Sequence, residues 1–133
     1  LRYFYHQAEA LASSWGKHDF FFLHHKYTDL RGEDGDFDAK VAEIQKVDAF
    51  LPKIAALKPD VLIVTGDHST PAVLKGHSSH PIPFLIHGAA VRPDPVREFG
   101  ERACLAGTWG VIPGAVLMRL ALAYSGKLAK YGA

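Results

Sequence analysis

PDVLIVTGDHSTP, residues 59–71, is an apolar run that stops at Gly66 and is followed at once by Asp67 and His68. Val61, Leu62, Ile63 and Val64 are contiguous rather than alternating, the pattern of a strand covered on both faces in a parallel sheet. Gly66 breaks the strand, and a carboxylate and an imidazole then stand at its carboxyl end, where open α/β sheets place their ligands. Alone, an Asp-His pair fits a capped turn beside an exposed histidine equally well, so the flanking segments have to decide.

Upstream, Phe37, Val41, Ile44, Val47, Leu51 and Ile54 recur every three or four residues, with Asp36 placed as N-cap. This spacing predicts a helix over 37–57, kinked or divided near Pro52 because an interior proline costs about 3 kcal/mol. Residues 19–25, DFFFLHH, have the length and β-propensity of an internal strand. A helix between two such strands is the crossover that parallel pairing requires. Between strand and helix, KYTDLRGEDGD is expected to be a loop, and its carboxylates Asp29, Glu33, Asp34 and Asp36 repel one another unless a cation or solvent screens them. Residues 3–15 carry Phe4, Ala8, Leu11 and Trp15 at helical spacing, with Gly16 as C-cap.

Downstream, a loop with His77 and His80 leads to a strand over 82–86, held near an edge or a strand start by Pro81 and Pro83. A short helix is expected over 96–99. Pro113 opens a last helix with Val116, Leu117, Leu120 and Tyr124 on one face, ended by Gly126. The expected architecture is α/β: one domain over residues 1–133, with a mainly parallel sheet and flanking helices.

Fifteen Lys and Arg against fourteen Asp and Glu give a net charge of +1, which provides no field for nucleic acid or an anionic membrane. The single cysteine, Cys104, cannot form an internal disulfide, and no apolar run reaches the roughly 20 residues of a membrane span. A soluble, cytoplasmic chain is expected. Its start at Leu1, without an initiator methionine, suggests a fragment, a processed product or an incomplete chain.

Asp29 with Glu33, Asp67 with His68, and His77 all follow or approach predicted strand ends, so a parallel sheet would bring them together. Mixed oxygen and nitrogen donors suit borderline divalent ions such as Mn²⁺ or Zn²⁺, whereas Ca²⁺ prefers oxygen alone. The lack of clustered thiols argues against a structural zinc site. Ser69 and Thr70 follow a turn, where hydroxyls bond nearby backbone more often than they attack a substrate. His80 could meet a phosphate or simply be solvated, and Lys26 and Lys75 could neutralise phosphate oxygens or lie exposed. Strand neighbours face opposite sides, so only one of His24 and His25 can point toward the site.

In this order, KYTDLRGEDGDF, the long helix, TGDHSTP and GHSSHPIPFLIHG resemble the C-terminal part of the archaeal-type, 2,3-bisphosphoglycerate-independent phosphoglycerate mutases. That family belongs to the alkaline phosphatase superfamily of two-metal enzymes, and the likeness runs over residues 19–118. It implies a partial alkaline phosphatase-like core and two divalent ions, Mn²⁺ or Zn²⁺. Asp67 and His68 match ligands of one ion; Asp29 and His77 match ligands of the other. Glu33 stands where the family's TDxxGH pattern has histidine. The resemblance further implies a glycolytic enzyme interconverting 3-phosphoglycerate and 2-phosphoglycerate, small phosphorylated three-carbon substrates. It places the phosphoryl-accepting hydroxyl in an N-terminal segment not seen here, so no catalytic nucleophile is assigned and the chain is expected to be inactive alone. A phosphatase or another phosphomutase of the superfamily, or a non-catalytic binding module, is the alternative.

Overall fold

The structure, a computed structural model, describes residues 2–130, with side chains from Tyr5 onward. The described residues fall into two compact units. One holds the chain through Lys58 together with Thr70–His77; the other holds Pro59–Ser69 and the chain from Ser78 on.

The first unit is helical: α1 spans Arg2–Ser14, α2 Tyr27–Asp34, α3 Phe37–Asp48 and α4 Leu51–Ala55. Its buried apolar side chains are Leu11, Phe50, Ile54 and Ala72. Phe4 of the expected apolar stripe lies outside the described side chains. Asp36 caps α3 as expected, its carboxylate accepting from the Ala39 N–H at 2.9 Å. The helical stretch divides at Ala49 and Phe50, so that Pro52 falls near the start of α4, where its missing N–H costs nothing. Glu43 of α3 is buried and doubly partnered: His25 Nε2, also shielded, is 2.9 Å from Glu43 Oε2, and the more exposed Lys46 Nζ donates to Glu43 Oε1 at 2.5 Å.

Two expectations fail here. The segment expected to be a loop is helix α2. Gly35, at φ 75°, ends it in the left-handed conformation, its N–H and that of Asp36 returning to the carbonyls of Gly32 and Arg31. Residues 19–25 are extended but join no strand ladder among the described residues. The backbone N–H and C=O of His24 are occupied by the Gln7 side chain at 3.2 and 2.9 Å. Phe20 and Phe22 are 58% and 80% exposed while Phe21 and Leu23 are half-buried, so the two-residue alternation of a strand survives without its neighbours.

The second unit contains β1 (Val61–Thr65), β2 (Phe84–Gly88), α5 (Glu101–Cys104) and α6 (Val116–Tyr124). The strand expected at 61–64 is present, and β2 starts at Phe84, just beyond Pro83. Their pairing corrects the expected parallel sheet: β1 and β2 run antiparallel, with Val61 opposite Gly88 and Thr65 opposite Phe84. The reason lies in residues 66–83, which double back instead of crossing over, and an antiparallel bridge between Ser69 and Ser78 closes the base of that excursion. Helix α6 packs on β1 and buries Leu120 to 2% exposure, which contributes roughly 1.5–3 kcal/mol. Gly126, at φ 71°, ends it as expected. The short helix expected at 96–99 is instead a turn organised by Asp94, whose carboxylate accepts from the N–H groups of Val96 and Thr108; the short helix forms later, as α5.

Candidate metal centre

Helix α2 puts Asp29 in its first turn and Glu33 one turn later, and a four-residue spacing places both carboxylates on one face. The segment Thr70–His77 lies against this helix within the first unit. His77 Nε2 stands 3.7 Å from Asp29 Oδ1 and 3.6 Å from Glu33 Oε1. Asp29 is the most enclosed of the three, its side chain 13% exposed against 48% for Glu33 and 54% for His77.

Around Asp29 the surrounding groups orient the carboxylate. Thr70, itself buried, donates its hydroxyl to Oδ1, and the Lys26 ammonium, one turn back on the chain, bonds Oδ2. The Thr70 carbonyl in turn accepts from Lys40 Nζ of α3 at 2.7 Å. A Cβ on Gly32 would lie 2.2 Å from that carbonyl oxygen, so only glycine lets α2 approach this closely. At Gly35 the place of a Cβ is crossed by the flexible Lys75 side chain, and glycine is called for there by its positive φ.

The two distances from His77 can be set against the spacing of metal ligands. With metal–ligand bonds of about 2.1 Å, tetrahedral coordination separates neighbouring donors by roughly 3.4 Å. The His77 nitrogen lies close to that distance from both carboxylates, beyond an ordinary hydrogen bond. One nitrogen with two oxygens is also a set suited to borderline divalent ions.

Asp67 and His68 occupy the turn after β1 in the second unit, as the apolar run and Gly66 foretold. Asp67 is open to solvent; its Oδ1 accepts the His68 N–H at 3.0 Å and its Oδ2 lies 3.6 Å from His68 Nε2. The carboxylate thus fixes the histidine backbone, and the imidazole is the better shielded of the two.

The other candidates sort plainly. His25 faces Glu43, and His24 is exposed and stacks on Phe22 at 6.3 Å, so neither joins the Asp29 group. Lys26 belongs to Asp29. Ser69 is buried with its backbone in the bridge to Ser78. The supporting roles of Thr70 and Lys40 were missed. The one available signal was Gly32 within α2, a residue that asks for a close neighbour.

A family profile described as the metalloenzyme superfamily matches residues 4–124. The chain belongs to the metalloenzyme superfamily. It is 53% identical over 125 residues to a probable 2,3-bisphosphoglycerate-independent phosphoglycerate mutase of Thermus thermophilus, covering 94% of this chain and 31% of the relative. The same description attaches to a relative from Aquifex aeolicus, 49% identical over 127 residues, with 96% of this chain and 31% of the relative covered. Among solved structures, the PH0037 protein of Pyrococcus horikoshii matches with a TM-score of 0.89 and 34% identity, over 96% of this chain and 39% of that one. The metalloenzyme fold, alkaline phosphatase-like and α/β, is therefore present in part: this chain spans about 31% of the length of these curated relatives. Among the described residues no helix is long and apolar enough to cross a membrane.

Proposed function

We propose that this chain supplies the C-terminal, metal-binding portion of a 2,3-bisphosphoglycerate-independent phosphoglycerate mutase, acting in the cytoplasm on 3-phosphoglycerate and 2-phosphoglycerate. The observation that carries this reading is the approach of His77 to Asp29 and to Glu33, at the positions where the sequence resembles that family, in a chain about half identical to such mutases.

Asp29, Glu33 and His77 would hold one divalent ion, and Asp67 with His68 would hold a second; the donors suit Mn²⁺ or Zn²⁺. Two such ions, when bound, supply Lewis-acid stabilisation of charge on the transferring phosphoryl group. The chain's own residues prepare for that. Thr70 and Lys26 hold the Asp29 carboxylate in one orientation. Glu33 brings a negative charge where the family pattern has a neutral imidazole, which favours a harder ion at this position. Asp67 holds the His68 backbone through the turn. The hydroxyl that accepts the phosphoryl group belongs, on this reading, to the remainder of the relatives' length, so Ser69 and Thr70 serve structure.

The test is a pair of measurements on the 133-residue chain. Calorimetric titration with Mn²⁺ and Zn²⁺ is expected to show binding that Asp29→Asn and His77→Ala each weaken at least tenfold. A coupled assay with 3-phosphoglycerate is expected to show no turnover until the remaining portion of a relative is supplied as a separate chain. Binding indifferent to both substitutions, or turnover by the chain alone that Ser69→Ala abolishes, would overturn the proposal.

A further inference from the structure

The loop before β2 carries a second arrangement, wholly within the second unit, whose first residue, Ser78, follows His77 in the chain. Ser78 Oγ lies 2.7 Å from His80 Nδ1, and His80 Nε2 lies 3.1 Å from Glu101 Oε1 at the start of α5. The chemistry of these contacts assigns the tautomer. A carboxylate only accepts, so His80 must present its proton on Nε2. That leaves the Nδ1 lone pair to receive the Ser78 hydroxyl proton. Hydroxyl, base and orienting carboxylate are thus in line, each within hydrogen-bond reach of the next.

The local backbone holds this relay in place. The Ser78 N–H donates to the Ser69 carbonyl at 2.9 Å, which anchors the serine at the bridge, and Pro81 fixes the chain immediately after His80. The Ser69 hydroxyl lies 3.5 Å from the same Glu101 oxygen, a second contact for the orienting carboxylate. His80 and Glu101 are 39% and 54% exposed, so small solutes reach the relay from solvent.

We propose that Ser78 is an activated nucleophile, with His80 as its general base and Glu101 as the group that orients the base, and that it takes acyl groups from small activated esters. In the forward step Ser78 Oγ bonds to the acyl carbon, its proton passes to His80 Nδ1, and the ester C–O bond breaks as His80 hands that proton to the leaving oxygen, which departs as the alcohol or phenol. Neutral His80 then takes a proton from water as the water oxygen adds to the acyl carbon, and the acyl–serine bond breaks as His80 returns that proton to Oγ. The sum is ester plus water to carboxylic acid plus alcohol, with no oxidant or metal required.

The experiment uses the full chain with p-nitrophenyl acetate and, separately, a fluorophosphonate probe, with the modified residue mapped by peptide mass spectrometry. Label is expected on Ser78 and absent in Ser78→Ala. A general base contributes about 10²–10⁴-fold, so His80→Gln is expected to slow labelling by at least about a hundredfold. Glu101→Gln, which removes only the orienting carboxylate, is expected to cost about tenfold or more and keeps the test informative where His80→Gln fails to fold. Labelling must survive EDTA, which separates this relay from any bound metal ion. The proposal is overturned by label elsewhere than Ser78, by a rate equal to that of the urea-unfolded chain, by indifference to both His80→Gln and Glu101→Gln, or by loss of reaction in EDTA.

Discussion

A Cβ added to Gly32 would stand 2.2 Å from the carbonyl oxygen of Thr70, which makes this glycine the point where α2 meets the segment carrying His77. The neighbouring atom is backbone and accepts from Lys40 Nζ, which would itself lie 3.0 Å from the added Cβ, so it cannot swing away as a side-chain end would. Gly32→Ala is therefore expected to push α2 off the segment and to destabilise the fold by about 1–3 kcal/mol, as overpacking does. Urea denaturation measures the first effect, and calorimetric titration with Zn²⁺ the accompanying loss of affinity. A variant of unchanged midpoint and affinity would show that the contact has no mechanical consequence.

The Thr70 hydroxyl gives a sharper test, because it can be removed without a change of shape. In Thr70→Val the Asp29 carboxylate loses a buried donor, and a hydrogen bond to a charged group contributes about 1.5–3 kcal/mol. Thr70→Ser keeps the donor and gives up only a methyl group. Valine is expected to destabilise the chain more than serine does and to weaken Zn²⁺ binding, measured by thermal unfolding with and without the ion. The opposite order would mean that the methyl contact with Gly32 matters and the hydroxyl does not.

These two residues also show where the sequence ran out. The helix after Asp36 was legible because an apolar repeat and a capping carboxylate pointed the same way. Helix α2 was not, because YTDLRGED carries no apolar stripe and a mean polarity that suits a loop equally well. What distinguishes it is the left-handed stop at Gly35 and a partner for Asp29 lying 41 residues away. Strand β1 was legible from its apolar run, yet its direction of pairing was not. That depends on whether residues 66–83 cross over or fold back, and the decisive contact, Ser69 with Ser78, leaves no mark in composition. Asp29, Glu33 and His77 could be proposed together from spacing and resemblance, whereas the Thr70 hydroxyl on Asp29 and the Lys40 ammonium on Thr70 arrive only through the tertiary fold.

Glu33 is half exposed on the same helical face as Asp29, one turn along and 3.6 Å from the His77 imidazole. If it donates to an ion, Glu33→Ala removes one donor and is expected to weaken Mn²⁺ and Zn²⁺ binding at least tenfold. Glu33→His replaces a hard oxygen with a borderline nitrogen, so Zn²⁺ affinity should hold or rise relative to Mn²⁺. Calorimetry on the three variants decides it. Equal affinities for Glu, His and Ala would leave Glu33 as an ordinary surface carboxylate.

Glu43 links stability to acid pH. Burial alone would raise its pKa from the ordinary value of 4.5, but the hydrogen bonds and charges of Lys46 and His25 outweigh burial, and the net shift is downward. A carboxyl group with a depressed folded-state pKa binds its proton more weakly folded than unfolded. Its contribution is therefore complete above 4.5 and is lost progressively as pH falls from there through the lower folded value. Melting temperature followed downward from neutral pH should decline through that window in the native chain. In Glu43→Gln the molecule starts less stable, since His25 and Lys46 lose their shared counter-charge, and the decline over the same window should be shallower. Parallel pH profiles for the two proteins would show that some other carboxylate controls acid unfolding.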